Sequence, residues 1–336
     1  MQKIRVFING FGRIGRSALR VMLEDETFEV VGINDIFPVS EYKYLLQYDS
    51  VYGELPHSIA IENETMHVNG HRIRLFCQED PACLELSSLH VDVLLQCSGV
   101  FLTSRCNEPY LRQSVKKVIL SAPPKDDTPS YVMGFNEACY RDEPIISNSS
   151  CSTNAIAPII KTIDERFGIK DACISMVHSY TSDQNIVDAK GATNELRRLR
   201  SATQNILPLH STATAILGSF FPRLQGKLYT KSIRVPVSAT TLYDFTFHLN
   251  ETTDREMVNA LFAEAAQGPL CKVVDTDESC RVSSDYVRNS HSATIDLSLT
   301  EVLDGDCIKI TAWQDNEFGY ACQLVRMARL VCDTAL

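Results

Sequence analysis

A chain of 336 residues is longer than one compact core of the usual size, so two domains or one large α/β domain are expected. Its 44% apolar and 22% charged residues are those of a globular protein, and its net charge of −10 argues against general binding to nucleic acid, whose phosphates select basic surfaces. The twelve cysteines are scattered without zinc-type spacing, which leaves mostly free thiols in a reducing cytoplasm as the simplest expectation.

The apolar run at residues 6–8 is too short for a signal peptide, and no run approaches the roughly 18 apolar residues of a membrane span. IRVFI (4–8) predicts a strand, and Ile14, Ala18, Val21 and Met22 then recur at helical spacing. FEVVGIND (28–35), VDVLLQCSG (91–99) and KKVILSAP (116–123) predict further strands, a β-α-β series that implies a parallel sheet with right-handed crossovers. The second half changes character near residue 150. CISMVHSY (173–180), KSIRVPVS (231–238), LYDFTFHL (242–249) and HSATIDLSL (291–299) predict strands of a mixed or antiparallel sheet. Residues 253–266 predict a helix capped by Thr252 or Thr253, and a last helix over about 320–332 is expected to pack back on the first domain.

INGFGRIGR supplies Gly10, Gly12 and Gly15 in G-x-G-x-x-G form. It follows a strand, opens a helix, and precedes Asp35 by twenty residues, the context a dinucleotide-binding turn requires. Gly10 permits the tight turn, Gly12 lets backbone approach a pyrophosphate, and Gly15 allows close helix–sheet packing. Asp35 would accept the adenosine ribose hydroxyls and repel a 2′-phosphate. With Ile36 and Phe37 next to it instead of an arginine, NAD is expected over NADP.

SNSSCSTN (147–154) sets Cys151 among small polar residues ahead of an apolar-periodic helix. Capping by Ser149 or Ser150 would put the thiol at the positive helix end, a position that lowers a thiol pKa. His178, in HSYTSDQ, is a candidate base if the fold pairs it with Cys151. Arg198 is a possible anion ligand among surface arginines. Arg234, between Ile233 and Val235, predicts a bound anion or a carboxylate partner, since an unpaired buried guanidinium is costly.

These motifs, with RVSSDY (281–286) and WQDNEFGY (313–320), occur in the order seen in phosphorylating glyceraldehyde-3-phosphate dehydrogenases, and the chain resembles that family over essentially its whole length. The resemblance implies an NAD-binding Rossmann domain at 1–150, completed by a C-terminal helix at 318–336, and an α+β catalytic domain at 151–317, usually assembled as a homotetramer. It implies Cys151 as nucleophile and His178 as base. Thr181, Asp183 and Arg234 would hold the substrate phosphate, and Ser150, Ser152, Arg198, Ser211 and Thr212 would surround inorganic phosphate. Asn316 would meet the nicotinamide amide. Arg13, Ile14, Asn34, Ser98, Gly99 and Ser121 would join the glycines and Asp35 along the NAD groove.

The chain departs from the family pattern in PLHSTATA (208–215), where Thr212 replaces the usual Gly and Ala215 the usual Lys. The loop DAKGATNELR (188–197) also departs, with Ala189-Lys190 for the Leu-Pro that members favouring NAD often carry, so the expectation of NAD rests on Asp35. These changes keep open a hydrolytic erythrose-4-phosphate dehydrogenase, which shares the cysteine, the histidine and the substrate-phosphate arginine. Semialdehyde dehydrogenases lack the D-N-E-x-G-Y ending, and a non-catalytic NAD-binding homologue need not keep Cys151, His178, Arg234 and Asn316 together.

Overall fold

A computed structural model describes residues 3–191 and 195–333, so part of the 188–197 loop and the end of the expected 318–336 helix lie outside the described residues. The chain divides into two compact units, Met1–Ser150 with Tyr320–Leu336, and Cys151–Gly319.

The first unit is built on β1 (Ile4–Asn9), α1 (Arg13–Leu23), β2 (Phe28–Asn34), α2 (Val39–Gln47), β3 (Ile59–Glu62), β4 (Thr65–Val68), β5 (His71–Phe76), β6 (Val93–Gln96), α3 (Ser104–Leu111), β7 (Lys117–Leu120) and β8 (Ile145–Ser147). The sheet runs β3-β4-β5-β2-β1-β6-β7-β8 and is parallel from β5 to β8. β6 and β7 are buried at every position, as strands covered on both faces must be. α1 turns Gly15, Ala18, Leu19, Met22 and Leu23 onto one apolar core face, while Phe7, Leu94 and Val118 enter the core on the other. Sequence reading did not predict the antiparallel β3–β4–β5 edge, whose short strands alternate buried and exposed residues.

The second unit contains α4 (Cys151–Phe167), β9 (Ile169–Ser179), β10 (Leu207–His210), α5 (Ala213–Phe220), β11 (Leu228–Val235), β12 (Thr241–Leu249), α6 (Arg255–Gln267), β13 (Val274–Asp277), β14 (Ala293–Leu303) and β15 (Cys307–Gln314). Its sheet order is β10-β11-β9-β12-β15-β14-β13, with parallel β11/β9 and β13/β14 pairs among antiparallel ones. The mixed sheet expected from the long strands is therefore present. The cap of α6 is Asp254 instead of Thr252 or Thr253: its carboxylate, a stronger acceptor than a hydroxyl, receives Met257 N at 2.8 Å.

The last helix, α7 (Phe318–Asp333), starts at the DNE motif. Asp315 Oδ1 accepts the amides of Glu317 and Phe318 at 3.1 and 2.9 Å, so this aspartate serves as its cap. Further along, Ala321, Leu324, Val325, Met327, Ala328 and Val331 lie in the main core of the first unit.

Candidate functional site

In the first unit a cleft of about 550 Å³ opens where β1 is flanked by β2 on one side and β6 on the other. This is the switch point at which open parallel sheets take ligands beyond the carboxyl ends of their strands. Asn9, Gly10, Gly12, Asn34, Asp35 and Ser98 line it, with Cys97, Gln78, Glu79, Ile36, Phe37, Val100 and Phe101. The glycines separate by task. Gly10 has φ +95°, and a Cβ there would stand 2.3 Å from Ser98 N; a Cβ on Gly15 would stand 2.1 Å from the Gly10 carbonyl oxygen. A Cβ on Gly12 would meet nothing within 4 Å. Internal packing thus demands Gly10 and Gly15, whereas the bare Gly12, with no side chain capping α1, leaves room for an approaching anion.

Asp35 Oδ2 accepts Phe11 N at 2.5 Å and Oδ1 accepts Ile36 N at 2.7 Å, which orients the carboxylate and leaves lone pairs for a diol. Under the cleft, Asn34 Nδ2 donates to Asn9 Oδ1 at 2.7 Å, Asn9 Nδ2 to Gln96 Oε1 at 2.9 Å, and Ser98 Oγ to Gln96 Oε1 at 2.8 Å. This buried network ties together the ends of β1, β2 and β6, and sequence reading missed Asn9 and Gln96 because Asn9 is not one of the patterned glycines of INGFGRIGR and Gln96 ends an apolar strand. The cleft fits a dinucleotide carrying a free ribose diol. Arg13 turns away: its guanidinium pairs with Asp49 and lies over the Tyr52 ring. Ile14 packs on the core, and Ser121 Oγ donates to the Gln96 carbonyl at 3.0 Å. Gly99, with φ +74°, and Ser121 are outside the cleft lining.

In the second unit the register of the sheet lines up one row: Leu207 pairs with Arg234, Arg234 with His178, His178 with Thr241, and Thr241 with Gln314. Cys151 is the first residue of α4, and its Sγ lies 4.0 Å from His178 Nε2. His178 Nδ1 donates to the Ser179 carbonyl at 2.7 Å, which turns the other ring nitrogen, with its lone pair, toward the thiol. Arg234 Nη1 donates to the same carbonyl at 2.9 Å. Of the two partners expected for Arg234, no carboxylate is hydrogen-bonded to it among the described residues, and its Nε is buried with no partner among them, which leaves a donor for a bound anion.

The electrostatics correct one expectation. Burial pushes the Cys151 thiol up instead of down, and the Arg234 charge with the Ser152 hydroxyl offsets this only in part. Burial, then Arg234, push His178 down to about 3, leaving a neutral base. The Ser149 hydroxyl is buried with no partner among the described residues, so it does not cap α4.

Thr181 donates its hydroxyl to Asp183, and Asp183 Oδ2 pairs with Arg198 Nη1 at 2.6 Å. Partial burial raises the Asp183 carboxyl, yet Thr181, Arg198 and Arg234 together hold it below the usual carboxylate range. Asp183 therefore acts on the two arginines as a counter-charge. Ser152 Oγ is 4.0 Å from Cys151 Sγ, and Asn316 Oδ1 accepts Ser179 Oγ at 3.0 Å. Ser150 is the last residue of the first unit. Ser211 and Thr212 follow β10, four and five residues past Leu207, which pairs with Arg234, and Ser211 Oγ accepts Ala213 N at 3.1 Å. Thr212 has φ −76° and ψ −13°, ordinary torsions for any residue, so its replacement of glycine strains nothing.

A family model described as "Glyceraldehyde 3-phosphate dehydrogenase, NAD binding domain" matches residues 4–104, and one described as "Glyceraldehyde 3-phosphate dehydrogenase, C-terminal domain" matches residues 150–316. Glyceraldehyde-3-phosphate dehydrogenase 1 of Bacillus subtilis (strain 168) is 38% identical over 335 residues, covering 99% of both chains. The chloroplastic glyceraldehyde-3-phosphate dehydrogenase A of Chlamydomonas reinhardtii is 38% identical over 98% of this chain and 89% of its own. Glyceraldehyde-3-phosphate dehydrogenase B of Aspergillus oryzae is 38% identical over 94% of this chain and 95% of its own. The chain, an NAD-dependent oxidoreductase with a Rossmann-like first domain, belongs to the glyceraldehyde-3-phosphate dehydrogenase family.

Proposed function

We propose that this protein oxidises glyceraldehyde 3-phosphate to 1,3-bisphosphoglycerate, with NAD as hydride acceptor and inorganic phosphate as second substrate. One observation carries the reading: Cys151 Sγ stands 4.0 Å from the lone-pair nitrogen of a neutral, oriented His178. As Sγ adds to the aldehyde carbon, His178 Nε2 takes the thiol proton, so a high thiol pKa is no obstacle. His178, once protonated, and the main-chain amide of Cys151 steady the developing oxyanion. His178 returns that proton to the oxygen, which gives the thiohemiacetal hydroxyl, and takes it back as the carbon is oxidised to the thioester. Gly10, Gly12, Asn34, Asp35 and Ser98 would hold NAD, which supplies the hydride-accepting ring; Asn316 would serve its amide. Phosphate then attacks the Cys151 thioester, releasing the acyl phosphate and regenerating the thiol.

Arg234, with its buried unpartnered Nε, and Thr181 would bind the phosphate of the aldehyde, while Asp183 keeps both arginines charged and in place. Ser150, Ser152, Arg198, Ser211 and Thr212 would hold inorganic phosphate. The exposed Ile186, Val187, Leu196 and Ile206 offer apolar surface for self-association, which supports the homotetramer that the family resemblance implies, and the free thiols fit a reducing cytoplasm. A second reading, hydrolysis of an erythrose-4-phosphate thioester by water, is favoured by the engagement of Arg198 with Asp183 and the separation of Ser211 and Thr212 from the Arg234 row.

The deciding assay measures NADH formation from each aldehyde with and without inorganic phosphate. Strict phosphate dependence with glyceraldehyde 3-phosphate is expected. Equal rates without phosphate would replace the proposal with the hydrolytic reading.

A further inference from the structure

The sheet face behind Cys151 carries a tyrosine that the cysteine–histidine pair does not use. Tyr243, on β12, is fully buried, and its hydroxyl donates to Gln314 Oε1 at 2.6 Å. That bond fixes which way the amide points. Gln314 Nε2 then donates to the main-chain carbonyl of Cys151 at 3.0 Å. Gln314 pairs with Thr241, two residues before Tyr243, and Thr241 pairs with His178, so all these side chains share one face of the sheet. The Ser152 hydroxyl lies 4.0 Å from Cys151 Sγ.

A buried phenol and a buried amide are costly unless every polar atom finds a partner. Tyr243 stacks beside Phe245, and a phenylalanine would fill its place without that cost. The phenol is fully buried, and Gln314 is the partner its hydroxyl bonds.

The thiol and its base arrive on different elements, Cys151 on α4 and His178 on β9, and the covalent chain between them is 27 residues long. Gln314 ties the first residue of α4 to the sheet bearing His178. We propose that Tyr243 and Gln314 are positioning residues: Tyr243 orients the Gln314 amide, and Gln314 pins the Cys151 backbone so that Sγ stays within proton-transfer reach of His178. The inference rests on the reading of Cys151 as nucleophile.

The test uses full-length enzyme carrying Tyr243→Phe, Gln314→Met, or both. Each single variant is expected to lower kcat about tenfold, because small displacements between reacting groups are expensive. Iodoacetamide alkylation of Cys151 in NAD-free protein should slow by a similar factor, while KM for the aldehyde stays within about twofold. The double variant should be no slower than the worse single, since the two residues form one relay. If Gln314→Met folds poorly, Gln314→Glu, which keeps an acceptor for Tyr243 but as a carboxylate has no donor for Cys151, takes its place and should show the same tenfold loss of kcat and of alkylation rate. Wild-type kcat and alkylation rates in the singles, or fully multiplicative losses in the double, would overturn the inference, as would a fall in Tm alone. Turnover surviving in Cys151→Ser would instead overturn the nucleophile reading, so the two failures are separable.

Discussion

At the scale of single residues the site depends on keeping His178 neutral. Its pKa is depressed to about 3 by burial and then by Arg234, against about 6.5 for an exposed imidazole. Between those values the unfolded chain binds a proton that the folded chain refuses, so this residue's contribution to stability is complete above about pH 6.5 and is lost as the pH falls toward 3. Urea unfolding of wild type and His178→Asn at pH 7 and pH 4.5 tests this. The asparagine variant is expected to lose less stability on acidification, by on the order of 2 kcal/mol. Equal acid sensitivity in both proteins would show that His178 is protonated in the fold. Activity should carry the same signature, with no acid limb near pH 6.5 arising from His178.

At the scale of elements, the β1–α1 turn separates fold from function. Ala at position 10 would need a Cβ 2.3 Å from the Ser98 backbone at a φ of +95°, and β1 and β6 are hydrogen-bonded neighbours that cannot yield cheaply. Gly10→Ala is therefore expected to cost about 2–4 kcal/mol of stability and to abolish NAD binding with it. Gly12→Ala meets no protein atom, so its Tm in the absence of NAD should stay near wild type while NAD affinity falls at least about tenfold. Thermal melts and NAD titration read both, and a Gly12→Ala protein binding NAD normally would remove that glycine from the pyrophosphate site. This turn was legible because its requirements fall within nine consecutive residues, INGFGRIGR. Cys151 and His178 were legible as types, but their pairing depends on a register across β9 and a helix start that no local pattern encodes. The Tyr243–Gln314 relay was illegible for the same reason, being assembled from two strands 71 residues apart. The β3–β4–β5 edge was missed because strands of four to six residues with one exposed face carry little periodic signal.

At the scale of the whole chain, the first unit is discontinuous in sequence. Its core contains Ala321, Leu324, Val325, Met327, Ala328 and Val331 of α7, all nearly inaccessible, beside Val6, Ile8, Ala18 and Met22 from the first segment. Arg329 adds a pairing with Asp25 and a position over the Phe28 ring. Burying a Leu or Val side chain contributes about 1.5–3 kcal/mol, so this one helix supplies more than the whole margin by which a domain of this size is ordinarily stable. The first unit is consequently expected to stay incomplete until α7 is made. A protein ending after Asn316 should retain strands but lose cooperative melting of the NAD-binding unit, bind hydrophobic dye, and show no NAD-dependent rise in Tm. Leu324→Ala in the full chain, a milder form of the same loss, should cost about 2–5 kcal/mol. Adding a synthetic peptide of residues 318–333 to the fragment of residues 1–150 should restore NAD binding, because the helix contributes through burial and not through covalent connection to β15. If the fragment of residues 1–150 alone bound NAD and melted cooperatively, α7 would be an accessory to that core instead of a part of it.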